Sequence, residues 1–142
     1  MLRIVLAALI LVQAPMVFAD PEGEVNYRKG VFRVVGGHMS AMGAIMRQGV
    51  YTDELAYHAN GMKQIAKIAP VVFPETSKEG KTDALPAIWE QPEAFKERMN
   101  KFVSAADGLA TAVESGDRRE IGGAMQALGG SCKGCHDNFK AD

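Results

Sequence analysis

Cys132-Lys133-Gly134-Cys135-His136 holds the only two cysteines of the 142-residue chain, three apart, with a histidine directly after the second. This is the spacing of a covalent c-type haem attachment site. On a helix, side chains at i and i+3 share a face, about 5–6 Å apart between Cβ atoms. Two thiols so placed can add to the two vinyl groups along one edge of a porphyrin, and the adjacent imidazole is carried under the iron as its proximal ligand. Other uses of the pair fit worse. A thioredoxin-like redox pair follows a strand, and nothing upstream of Cys132 has a strand pattern. A structural zinc site needs about four ligands, and there is no second cysteine pair to complete one. A disulfide closing so small a loop would constrain almost no chain.

Upstream of the motif the pattern is helical throughout. Asp117 is the predicted N-cap of a helix that carries Ile121, Ala124, Met125 and Leu128 into the motif. Before it, Gln91-Pro92-Glu93 opens a helix bearing Phe95, Met99, Phe102, Val103, Ala106, Leu109, Ala110 and Val113, and Ser115-Gly116 ends it. A shorter helix starts at Thr52 or Asp53 and shows a stripe of Leu55, Ala59, Met62, Ala66 and Ala69, closed by Pro70 and Pro74. The first helix runs from Pro21-Glu22 to Arg47, with Val31, Phe32, Val35, Met39, Met42 and Met46 at steps of three and four. Gly36, Gly37 and Gly43 interrupt it, which suits close approach of a helix or a ring. Residues 74–91, with Trp89, lack helical periodicity and read as a packed loop. The expected fold is all-α, an antiparallel four-helix bundle with a covalently attached haem in its interior.

The methionines at helical spacing (Met39, Met42, Met46, Met62, Met99 and Met125) read as gap-filling core residues. Formal charge is −1, so no basic footprint for nucleic acid is present. No acid/base or nucleophile constellation accompanies the haem motif, and the chain is not expected to be an enzyme.

Residues 1–19 read as a cleaved secretory signal peptide, leaving a haem domain over 20–142. Arg3 starts it, Ile4 to Val12 is almost wholly apolar, and Val17-Phe18-Ala19 supplies small residues at −3 and −1. The apolar run is shorter than the roughly 20 residues of a membrane span. The expected location is the periplasm, with no membrane attachment after cleavage. Export agrees with the motif, since bacterial c-type haem is attached outside the cytoplasm.

Only residues 137–142 follow His136, without a methionine or histidine among them. Any second protein ligand to the iron must therefore come from upstream, from a facing helix. At this point the sequence resembles the cytochrome c′ family. The matching pieces are Val25-Asn26-Tyr27-Arg28, Pro86-Ala87-Ile88-Trp89, Phe95-Lys96, and Ser131 to His136 with Asp137, in order across the mature chain.

The resemblance implies one haem c per chain, tethered by Cys132 and Cys135, with His136 as its only protein ligand to iron. It implies a five-coordinate, high-spin iron that binds NO and CO while an apolar side chain crowds the distal face. Aligned from Tyr27-Arg28, that side chain is Phe32, with Val35 one turn on and Phe73 closing the pocket from the second helix. Arg28, four residues before Phe32, is placed to hold a haem propionate. Where the family commonly has an arginine four residues after the haem histidine, this chain has Lys140. Expected partners are NO and CO, redox proteins, and a second copy of the chain through the small residues of the first helix (Gly36, Gly37, Ser40, Ala41, Ala44).

The alternative is a low-spin, six-coordinate electron carrier in which Met39 or another first-helix methionine ligates iron; His38 and His58 are weaker candidates. A third reading is a haemless helical interaction protein with a Cys132–Cys135 disulfide. Mass spectrometry of the denatured protein separates the third: the mature chain should keep the mass of one haem, and a chain lacking it would remove the haem reading.

Overall fold

The computed structural model describes residues 20–49 and 53–141, and the predicted signal segment 1–19 and Thr52 lie outside them. Four long helices form the body: α1 (Pro21–Arg47), α2 (Asp53–Ile68), α4 (Pro92–Ser115) and α5 (Arg118–Phe139). A short helix, α3 (Ala87–Glu90), and two 3₁₀ turns (Ala69–Val71 and Glu75–Ser77) lie between α2 and α4. The segment read as a packed loop is thus partly helical.

The helix ends carry their own stop signals. Asp20 Oδ1 accepts from the Gly23 N–H at 3.0 Å, with Pro21 at the first helical position of α1. Asp117 Oδ1 accepts from the N–H groups of Arg119 (2.8 Å) and Glu120 (3.0 Å) at the start of α5. Gly116 ends α4 in the left-handed region, φ +72°, where a side chain would be strained. Because α1 is 27 residues long, roughly 40 Å, the short α1–α2 and α4–α5 connections can only return the chain antiparallel.

The predicted stripes face inward. Val35, Met42, Leu55, Ala59, Met62, Ala66, Met99, Phe102, Ala106, Leu109, Ile121 and Leu128 are buried in one core cluster. Met42 and Met62 are fully buried, and Met39, Met46 and Met125 pack against the same cluster, so these methionines fill core volume. Helix α1 packs on α2, α2 on α4, and α4 on α5. Helices α1 and α5 barely approach each other, although a Cβ on Gly129 of α5 would lie 3.6 Å from the Met39 methyl. Between those two helices the bundle is open. Among the described residues no helix is long and apolar enough to cross a membrane.

Helices α2 and α4 are also joined at the surface by Lys63 Nζ and Asp107 Oδ1, 2.7 Å apart. The ammonium holds the Asp107 carboxyl below its ordinary value of 3.8, and the carboxylate raises Lys63 above 10.5. The depressed acid contributes stability above pH 3.8 that is lost as pH falls through its folded value. The raised base contributes below pH 10.5, and loses its part as pH rises through its folded value. Thermal melts of Asp107→Asn should therefore differ slightly from the parent between those limits, converge with it at both extremes, and converge in high salt at any pH.

Candidate haem site

The opening between α1 and α5 is a cavity of about 430 Å³, within the roughly 300–1,000 Å³ of cofactor and ligand sites. It gathers all seven residues singled out by sequence: Arg28, Phe32 and Val35 from α1, Phe73, and Cys132, Cys135 and His136 from α5. Met39, Met99, Phe102 and Ile88 add apolar wall. Polar side chains, among them Arg28, Thr82, Asp83 and Lys140, complete the lining.

A chain of rings forms much of that wall. Phe32 meets Phe73 edge-on at 5.7 Å between centroids, Phe73 meets Phe95 at 4.9 Å, and Phe95 meets Phe139 at 5.3 Å. Edge-to-face pairs of this kind add specific attraction to their burial. Through them α1, the α2–α4 connection, α4 and α5 share one continuous apolar surface. Phe73 does not sit on the second helix as expected. Helix α2 ends at Ile68, and the Ala69–Val71 turn carries the chain away before Phe73, whose carbonyl accepts from Trp89 Nε1 at 3.1 Å.

Helix α5 supplies the two thiols and the imidazole of the motif. Cys132 and Cys135 are half-buried free thiols one helical turn apart. Burial raises both, and the neighbouring Cys132 helps push Cys135 up to about 11, so each is a neutral thiol at physiological pH. Burial, then the nearby Lys140 charge, lowers His136, with Asp137 opposing. Its ring is accordingly neutral at neutral pH, with a nitrogen lone pair for a metal. An apolar cavity edged by two thiols and a neutral imidazole fits a flat, apolar macrocycle held by thioethers and one nitrogen ligand.

Arg28 is the unusual group, a cation only 3% exposed. Its Nη1 donates to Ser77 Oγ (2.5 Å) and the Val72 carbonyl (3.5 Å). Its Nη2 donates to the Ser77 carbonyl (3.1 Å) and Thr82 Oγ1 (3.0 Å). The guanidinium carbon lies 5.0 Å from the Phe73 centroid and 5.8 Å from that of Trp89. Burial pulls its pKa below the ordinary value, with Glu24, one turn earlier, opposing. Every acceptor it contacts is a neutral oxygen, so none of them neutralises its charge. The four terminal N–H groups are engaged with the loop, and Nε–H is the remaining donor. Glu24 with Thr76 and Lys29 with the Lys81 carbonyl make further ties from α1 to the same segment.

Ser77, Thr82 and Phe139 were not evident beforehand. Phe139 had a usable signal, since it lies four residues after Cys135 and shares its helix face. Ser77 and Thr82 had none, because the loop that presents them has no period.

Against known proteins, the chain matches the family model described as Cytochrome C' over residues 23–140. It is 43% identical over 126 residues to a cytochrome c′ of Rhodospirillum rubrum, covering 87% of this chain and 86% of that protein. Its structure is similar to cytochrome c prime from Shewanella frigidimarina, with TM-score 0.82 and 31% identity, covering 88% of this chain and 99% of the other. It is also similar to a ferrous variant of the Alcaligenes xylosoxidans protein with bound NO, with TM-score 0.80, 28% identity and coverage of 88% and 98%.

Replacing Arg28 by Leu removes the donors from Ser77, Thr82 and Val72 and leaves buried oxygens unpaired. Denaturant titration should show a loss of about 2–4 kcal/mol, together with faster proteolysis within residues 72–85.

Proposed function

The chain belongs to the cytochrome c′ family, and from that membership we propose that it is a periplasmic haem c protein that reversibly binds NO, and CO, to buffer or scavenge NO. The family is one of non-enzymatic haem proteins with covalent haem c. For this chain the reading is one haem, tethered by Cys132 and Cys135, with His136 as the sole protein ligand to iron. Haem held by these residues would supply a ferrous iron able to take a diatomic ligand. Everything else is done by the protein's own side chains.

The observation that carries the proposal is Phe32, half-buried on the α1 wall and packed edge-on against Phe73. A phenyl ring cannot coordinate iron. Beside Val35 and Phe73 it excludes water and crowds an incoming ligand. Neither Phe32 nor its neighbours Val35 and Phe73 carries a side-chain hydrogen-bond donor that would hold O₂, whereas NO bonds strongly to ferrous haem without one. The NO complex of the Alcaligenes xylosoxidans relative supports the same assignment. Arg28 attracts a propionate with its un-neutralised charge and its Nε–H while its terminal nitrogens keep the loop in place. Residues 1–19 direct export and are removed. Redox proteins and a second copy of the chain are the proposed macromolecular partners.

The electron-carrier alternative depends on Met39, whose side chain also lines the cavity. The reduced absorption spectrum discriminates between them. A broad, unsplit band that shifts on CO addition is expected, and a sharp, split α-band indifferent to CO would establish six-coordination instead. Stopped-flow mixing tests the distal residue: Phe32→Ala should speed CO binding by about tenfold or more, equivalent to ~1.4 kcal/mol off the barrier. An unchanged rate would place another side chain over the iron.

A further inference from the structure

The sequence contains three histidines. His136 belongs to the haem site, and the fold brings the other two together. His38 from α1 and His58 from α2 place their Nδ1 atoms 3.0 Å apart, with ring centroids at 5.3 Å. The two nitrogens thus point at each other, one ring donating N–H to the lone pair of the other. Neither residue lines the haem cavity.

The position is built rather than incidental. Gly61, three residues after His58, leaves a notch in α2 that the His38 ring occupies. A Cβ there would stand 2.3 Å from His38 Cε1 and 2.6 Å from Nε2. Glycine inside a helix is unfavourable, and at Gly61 it admits an imidazole against the backbone. The Tyr57 ring flanks the pair, 5.3 Å from His58 and 6.5 Å from His38 between centroids. Both histidines remain part-exposed, so an ion and its waters can reach them.

We propose that His38 and His58 form a second metal site, a bis-imidazole chelate for Cu(II) that links α1 to α2 outside the haem cavity. At metal–nitrogen distances of about 2.0–2.1 Å, nitrogens 3.0 Å apart subtend roughly 91–97° at the ion. That is the cis angle of a tetragonal site, which suits Cu(II) or Ni(II), and Cu(II) heads the affinity order for such donors. Tetrahedral zinc prefers a wider angle and a fuller protein ligand set. Among the described residues no group of three or more His, Cys, Asp or Glu side chains is placed to hold a metal, so water completes the coordination. Chelation turns each ring by about 40° off the line joining the nitrogens, about a terminal torsion with a broad energy well. The shared proton moves from Nδ1 to Nε2 of its own ring, and none is released from the neutral pair. Burial, then His58, holds His38 below its ordinary pKa, which keeps its ring neutral and available at neutral pH.

The test titrates CuCl₂, against glycine as a competing chelator, into the haem-loaded protein, followed by frozen-solution EPR. One equivalent of Cu(II) should bind with the nitrogen couplings of two imidazoles, and ZnCl₂ should compete poorly. His38→Gln and His58→Gln should each weaken binding by about tenfold or more, since each removes one arm of the chelate, and the double variant should weaken it little further. Gly61→Ala keeps both imidazoles but displaces the His38 ring, and should weaken binding comparably. Helical circular dichroism and the haem spectrum verify that each variant is folded, and Gly61→Ala remains decisive if a histidine variant is not. Cu(II) binding unchanged in these variants, or a spectrum showing one imidazole or none, would overturn the proposal.

Discussion

Arg28 is a permanent cation held almost out of water by neutral oxygens. Desolvating a guanidinium is costly, and the cost is offset when its terminal donors are engaged and the geometry is fixed. Here the carbonyls of Val72 and Ser77 and the hydroxyls of Ser77 and Thr82 meet that condition. The α2–α4 connection is short of regular structure of its own, so it takes its shape from this contact. With the connection in place, Phe73 and Trp89 stand under the guanidinium, and Phe73 joins the rings of Phe32 and Phe95. The cavity wall between α1 and α4 follows from one buried charge.

The other wall is a property of α5. A single helix presents Cys132, Cys135 and His136 within five residues, then Phe139 one turn on. Rigid spacing on one helix fixes the relative positions of the two thiols and the imidazole far better than loops would. Helix α1 contributes no tether. Its part is to stand away from α5 and supply the apolar surface that faces the opening. The cavity thus has α5 with its thiols and imidazole on one side and α1 on the other, and α4 with the connection closes the sides.

The helices were legible because each has a complete amphipathic stripe and a chemical stop signal, as Asp117 and Gly116 illustrate. The grouping of Cys132, Cys135 and His136 was legible because it depends only on local spacing along one helix. What depends on register between distant segments was not. The environment of Phe73 required knowing where α2 ends, and proline at 70 and 74 bracketed that point without deciding it. The partners of Arg28 lie 44 to 54 residues away, in a segment whose path no periodicity describes. His38 facing His58 likewise depends on how α1 slides along α2, and the notch at Gly61 that seats the His38 ring becomes visible only once that register is known.

The last residues of the chain also touch that connection. The Leu85 N–H donates to the Phe139 carbonyl at 3.0 Å and the Ala141 N–H to the Asp83 carbonyl at 2.7 Å, around an antiparallel bridge between Ala84 and Lys140. One short segment is therefore fastened to α1 near one end of the sequence and to the tail at the other. The helices themselves are local structures that form quickly, but these two fastenings join residues far apart and must await loop closure. The cavity rim is therefore complete only once both fastenings have formed, after the helices that bear it. Until then the Cys132 and Cys135 thiols of α5 stand beside an unfinished rim.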